Sequence, residues 1–139
     1  MDAKTISDIQ ADTMYSLVVD IINSKKTIAI NDAFTFGEIS NRITSIEGSS
    51  EILKYSRSDR ECPNTSETMA KEIAGMGADI GIGIANEKDN KVNWCIYEKG
   101  KEKFMCGITN LNKEQTIIEA KMQVTKEVLE CIRKLTLTI

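Results

Sequence analysis

The sequence predicts an α/β protein: a three-layer α/β/α sandwich on a mixed, mostly parallel sheet with one antiparallel strand. Three observations predict it. Helical and apolar segments alternate from the start of the chain, as right-handed βαβ crossovers require. Residues 78–85, ADIGIGIA, alternate small and apolar side chains, the pattern of a buried strand that helices approach closely. Two later apolar segments are joined through Lys99-Gly100, a hairpin signal that forces one strand to run against its neighbours.

The elements follow in order. Ser7 and Gln10 have capping-box spacing, and Ile9, Met14, Leu17, Val18 and Ile21 fall on one helical face, which places a first helix at about residues 6–23. Residues 23–26 are the turn out of it, and Thr27–Ile30 is the first strand. Asn31 and Asp32 then make a polar turn. Thr35 and Glu38 have the spacing of a capping box for a second helix, Phe36 to Ile46, with Phe36, Ile39, Ile43 and Ile46 at helical spacing.

Ile52–Ser56 is a candidate short strand, and the polar stretch after it, with the only proline, is loop. Asn64-Thr65-Ser66-Glu67 opens a third helix, with Met69, Ile73 and Met76 inward and Gly77 as its stop. The strand Ala78–Ala85, a charged turn at residues 86–91, and the strands Val92–Glu98 and Lys103–Ile108 follow. Trp94 and Tyr97 stand at odd spacing and so face opposite ways. Asn112-Lys113-Glu114-Gln115 opens the last helix. Ile117, Val124, Val128, Ile132 and Leu135 line it, and Ile118, Met122 and Leu129 widen the stripe.

A length of 139 residues suits one core, and no repeat or low-complexity linker divides it, so residues 1–139 read as a single domain. The net charge is −3 with interspersed signs, which offers no general attraction to nucleic acid or to an anionic membrane. Lys25-Lys26 and the lysines from Lys99 to Lys103 read as solvated turns. No apolar run approaches the roughly 20 residues that span a bilayer. The N-terminal segment lacks the basic-then-apolar order of a signal peptide, and the chain reads as cytoplasmic.

The chain has no histidine, which removes Ser-His-Asp and Cys-His catalysis and every imidazole metal site. The four cysteines (Cys62, Cys95, Cys106, Cys131) are scattered without a C-x-x-C pair, and no metal is expected. Cys95, Cys106 and Cys131 read first as buried small apolar residues. Cys95 and Cys106 flank the hairpin, and a disulfide between them is the lesser alternative in a reducing compartment. Cys62, in a polar loop beside Pro63, is the accessible one.

Residues 27–50, TIAINDAFTFGEISNRITSIEGSS, take a strand into a helix start, where free N–H groups and the helix dipole converge and phosphates are commonly held. This stretch resembles the CinA C-terminal domain family, the nicotinamide mononucleotide amidohydrolases. Members read as an apolar strand, A-E-S-C-T-G-G, a helix with I-S-x-x-I-T, then P-G-S-S. Here the motif becomes Asn31-Asp32-Ala33-Phe34-Thr35-Phe36-Gly37, followed by Ile39-Ser40-Asn41-Arg42-Ile43-Thr44 and Gly48-Ser49-Ser50. The resemblance extends to the C-terminus at the level of pattern, and it implies the three-layer sandwich.

It also implies a site that this chain does not keep. The family's nucleophilic serine falls at Ala33. Its activating Y-S-N-x-x-K can be laid on residues 55–60, which puts Tyr55 at the tyrosine and Arg60 at the lysine. Arginine stays protonated in proteins and cannot act as a general base. The glycine-rich T-G-I-A-G-P-G-G-G survives only as Gly83-Ile84-Ala85, and the basic residues before the last helix survive only as Lys113.

The expectation is a CinA-like domain that has lost the amidohydrolase activity and serves as a nucleotide-binding or interaction module. Its ligand-binding candidates are Asn31, Asp32, Thr35, Gly37, Ser49, Ser50 and Lys113. Thr35, Gly37, Gly48, Ser49 and Ser50 also have structural readings, as a cap, a helix contact and a turn. The alternative is a divergent nicotinamide-nucleotide amidohydrolase with a rearranged site drawn from Asp32, Thr35, Tyr55, Ser56 and Arg60. No cofactor is expected. Self-association is, because the first and last helices can bury more apolar surface than one sheet face needs and the family tends to associate.

Overall fold

The computed structural model describes residues 6–58 and 65–137. In chain order these form α1 (Ile6–Asn23), β1 (Ile28–Asp32), α2 (Glu38–Thr44), a 3-10 turn (Ser49–Glu51), β2 (Leu53–Ser58), α3 (Ser66–Ala74), β3 (Ile80–Ile84), β4 (Lys91–Glu98), β5 (Lys103–Asn110) and α4 (Ile117–Leu137). The five strands make one sheet in the order β2-β1-β3-β4-β5. β1 pairs in parallel with β2 and β3, while β3–β4 and β4–β5 are antiparallel. The sheet is mixed and β4 alone opposes the others, as expected. Two of its four pairings are parallel, fewer than a mostly parallel sheet would have.

The two faces are covered unequally. Ile28 and Ile30 of β1, Ile80, Ile82 and Ile84 of β3, and Val92, Trp94 and Ile96 of β4 join one cluster with Leu17 and Ile21 of α1, Ile39 and Ile43 of α2, and Val124, Val128 and Ile132 of α4. Among the described residues the opposite face carries α3 alone. Ala29 meets Ile73 and Ala78 there, and Cys95 and Tyr97 meet Ala70 and Ala74. Trp94 and Tyr97 thus face opposite layers, and both are buried.

β3 lies so close under α3 that a Cβ on Gly83 would run into the backbone at Ser66 and Ala70, and one on Gly81 into the Ala70 carbonyl. The small residues of the ADIGIGIA pattern therefore set the distance between helix and sheet. At the opposite end of the β1–β3 pair the two strands are clasped by side chains. Thr27 donates its backbone N–H and its hydroxyl to the Asp79 carboxylate, at 2.9 and 3.0 Å, and its hydroxyl oxygen accepts from the Asp79 backbone N–H. The Thr27 backbone bond is the main reason the Asp79 carboxyl sits below its ordinary pKa.

Several expectations are corrected. α2 begins at Glu38, with Gly37 as its N-cap and no side-chain cap, so the Thr35–Glu38 capping box does not form. Phe36 is exposed with a φ of 52°, outside the helix rather than on its inner face. Asn31 and Asp32 are the end of β1, not a turn. Met76 lies past the end of α3 and is exposed. α4 starts at Ile117, later than Asn112, because Asn112–Gln115 closes a turn of its own and Thr116 makes the cap with Glu119. Ile117 and Ile118 are consequently exposed instead of lining the stripe. The candidate strand at 52–56 is real and runs Leu53–Ser58.

Cys95 and Cys106 stand directly opposite each other on β4 and β5 and are joined as a disulfide, against the first reading of both as buried apolar residues. Cys131 is free and buried, and burial pushes its thiol pKa up. Cys62, like Arg60, lies outside the described residues, as do the side chains of Ser7, Ile9 and Gln10. β5 forms one edge of the sheet, and its Phe104, Met105 and Ile108 are exposed. Among the described residues no helix is long and apolar enough to cross a membrane.

Candidate functional site

The strand order places β2 and β3 on opposite sides of β1, so the chain reverses its direction of travel across the sheet between β1 and β3. In open α/β sheets the crevice beyond the carboxyl ends of two such strands is where ligands bind. Here that crevice lies between the loop after β1 (residues 33–37) and the loop after β3 (residues 85–90).

The first loop is organised by one carboxylate. Asp32 is fully buried. Its Oδ1 accepts from the backbone N–H of Phe34 at 3.0 Å and of Thr35 at 2.8 Å. Its Oδ2 accepts from the Thr35 hydroxyl and, at 3.2 Å, from the backbone N–H of Gly37. Short polar side chains bond their own backbone a few residues on and so hold a turn. Gly37 ends the loop with a φ of 94°, a conformation that favours glycine. Phe36 shares the left-handed region without being glycine, a strained arrangement that the Asp32 bonds hold in place.

Ala33 is pinned between the two loops. Its N–H donates to the Ile84 carbonyl at 2.8 Å, and its own carbonyl accepts from the Asn86 side-chain amide at 3.1 Å. Ala33 is 2% exposed. The position where the resemblance puts a nucleophile is thus a buried methyl group, tied by hydrogen bonds to the strand and loop beside it.

Beside it lies an open cavity of about 320 Å3, between Phe34 and Phe36 on one side and Lys113, Ile117 and Lys121 of the chain entering α4 on the other. The Lys121 ammonium lies 4.8 Å from the centre of the Phe36 ring. Glu87 also lines the cavity, so its charge is mixed, with aromatic faces and two lysines that suit a flat ring carrying an anionic group on the α4 side.

The structure gathers some of the predicted residues and scatters others. Asp32, Thr35 and Gly37 form the one loop, and Lys113 lines the cavity beside it. Asn31 is buried, and its Oδ1 has no hydrogen-bond partner among the described residues. Ser49 and Ser50 sit in the turn before β2, which runs parallel to β1, and so lie at the far end of the sheet from Asp32. Tyr55 aligns with Ala29 in mid-strand and is 42% exposed. Ser56 alternates with it and meets the hydroxyl of Ser40 on α2, so Tyr55 faces the other way. Arg60 lies outside the described residues.

Phe34, Phe36 and Lys121 line the cavity and Asn86 bonds Ala33, and sequence reasoning gave none of them as candidates. Two aromatics bracketing a threonine in a polar turn are the available signal for the first pair. No local pattern marks Asn86 or Lys121, because each acts across the fold.

No protein-family model and no curated protein sequence matches the chain. Solved structures do match. A competence/damage inducible protein of Agrobacterium tumefaciens superposes with a TM-score of 0.76 at 11% identity, covering 91% of this chain and 94% of its own. A CinA-superfamily protein of Klebsiella pneumoniae gives 0.75 at 10% identity, covering 91% and 97%. A competence or damage-inducible protein of Enterobacter asburiae gives 0.70 at 13% identity, covering 96% and 99%. The chain has the CinA-like fold.

Proposed function

We propose that this CinA-like domain has lost serine-type amidohydrolase chemistry and binds a small aromatic anion of nucleotide kind in the cavity between Phe34, Phe36 and the start of α4. The observation that carries the reading is Ala33: it is buried, without a hydroxyl, and held through both its N–H and its carbonyl. Nucleophilic catalysis needs an exposed attacking atom beside a base, and that position offers neither. The cavity supports the binding half of the reading through its aromatic rings and through Lys113 and Lys121.

A titration followed by chemical shift tests it, with nicotinamide mononucleotide, nicotinic acid mononucleotide, ADP-ribose and ATP. The expected result is a saturable shift confined to residues 33–37 and 111–121, weakened about tenfold by Phe36→Ala or Lys121→Ala. No shift with any of the four overturns the binding claim. Protein-dependent release of ammonia from nicotinamide mononucleotide overturns the claim of lost chemistry.

One observation favours the second reading, a divergent nicotinamide-nucleotide amidohydrolase. The Thr35 hydroxyl donates to the Asp32 carboxylate, the pairing an activated nucleophile would have. Against it, Thr35 is 2% exposed and Asp32 is fully buried, so a substrate cannot reach either. Self-association remains part of the proposal, with the exposed apolar edge of β5 as the surface in its favour. A monomer by sedimentation at high concentration would remove it.

A further inference from the structure

The Cys95–Cys106 pair lies on the α3 face of the hairpin, away from the Phe34–Phe36 cavity. Cys95 is buried beneath Ala70 and Ala74, while Cys106 is exposed on the edge strand. Glu67, in the first turn of α3, brings its carboxylate to the pair. A carboxylate oxygen of Glu67 and the two sulfurs all lie within 4.8 Å of one another. The helix dipole there favours a carboxylate, and among the described residues Glu67 has no ion pair or hydrogen-bonded side-chain partner, so its oxygens are available to a ligand. The three groups border an open cleft of about 800 Å3 that Ser66, Asn86 and Lys88 also line.

We propose that this is a redox-gated metal site: once the disulfide is reduced, Cys95, Cys106 and Glu67 bind one thiophilic divalent cation of the zinc class. The donors fit. Thiolate sulfur and carboxylate oxygen are both donors that zinc takes, with Zn–S near 2.3 Å and Zn–O about 2.0–2.2 Å, and the open cleft leaves room for water in the fourth position. The Glu67 carboxylate, in the first turn of α3, brings negative charge to the two sulfurs, so it is the cation that stabilises the thiolates once it binds. The steps balance. A dithiol reductant passes two electrons and two protons to the S–S bond and becomes a cyclic disulfide, leaving two thiols. The cation then displaces the two thiol protons as it binds. A disulfide oxidant takes the two electrons back, its own S–S bond breaking to two thiolates as the Cys95–Cys106 bond re-forms, and the cation leaves.

Titration with Co2+ tests this, because thiolate ligation gives a sulfur-to-metal charge-transfer absorption that oxygen ligands do not. The full chain reduced with a phosphine should bind one equivalent and show that band, and the disulfide form should not. Glu67→Gln should weaken binding about tenfold, and Cys106→Ser, which leaves one thiolate, should cut the band by about half or more. Both side chains are exposed, and circular dichroism checks that each variant stays folded. Three results overturn the proposal: no cobalt–thiolate band in the reduced, folded chain; an undiminished band in Cys106→Ser; or a reduced chain that unfolds, since the pair would then be only a covalent staple.

Discussion

Two segments of this chain have the same T-x-x-E spacing, Thr35–Glu38 and Thr116–Glu119, and they fold differently. At the start of α4 the capping box forms. The Thr116 hydroxyl accepts from the Glu119 N–H at 3.1 Å, and the Glu119 carboxylate accepts from the Thr116 N–H at 3.4 Å. Before α2 it does not. The Thr35 hydroxyl is taken by Asp32, Gly37 is the N-cap, and Glu38 turns to Arg42 at 2.8 Å. The same spacing gives a cap where the threonine is free and a loop where a buried carboxylate three residues upstream competes for it. A capping signature is therefore conditional on what precedes it.

Substitutions break the comparison in order of expected size. Asp32→Ala should be largest, at about 3 kcal/mol by chemical denaturation, because it orphans the Thr35 hydroxyl and three loop N–H groups in the interior. It should also abolish any ligand response in the cavity beside Phe36. Thr35→Val keeps the shape and removes one of those bonds, for about 1.5 kcal/mol. Thr116→Ala removes a true cap and should cost about 1 kcal/mol, read as fraying of the first turn of α4 by hydrogen exchange. Glu38→Ala removes only a partly exposed pair with Arg42, and its cost should stay within about 0.5 kcal/mol. A large effect there, or a small one at Asp32, would reverse the roles assigned to the two segments.

Asp79 provides the exposed counterpart of Asp32, and pH reads it out. Its folded-state carboxyl is held below the ordinary value of 3.8, so the stability it contributes is complete well above that value. It is lost as the pH falls through the lower folded-state value. The stability gap between the parent chain and Asp79→Asn should accordingly be steady near neutral pH and close under acid.

Much of the fold was legible because it rests on periodicity. The glycine-spaced β3, the hairpin about Lys99-Gly100 and the buried stripe of α4 from Met122 to Ile132 are local patterns, and they fold as patterned. The site was less legible because competition decides it. The Thr35 hydroxyl has two suitors, Glu38's N–H and Asp32's carboxylate, and spacing alone does not rank them. Ser49 and Ser50 matched a motif but sit at the wrong end of the sheet, which the direction of β2 settles and the sequence does not show. Asn86 reaches Ala33 across 53 positions of chain. The disulfide follows from cross-strand register, which sets Cys95 opposite Cys106, and no local motif marks that pairing.

The bare edge of β5 bears on how the chain behaves in a crowd. KFMCGITN has a single charge and no proline, and such a strand is a template on which another copy can extend the sheet. Lys99, Lys101 and Lys103 gather where that strand begins. In a parallel, in-register stack, the arrangement of a growing fibril, each copy would set its lysines against those of the next. Lys101 is already paired with Glu98 at 3.3 Å, so the repulsion that opposes growth along this edge comes chiefly from Lys99 and Lys103, and acetylating them would weaken it.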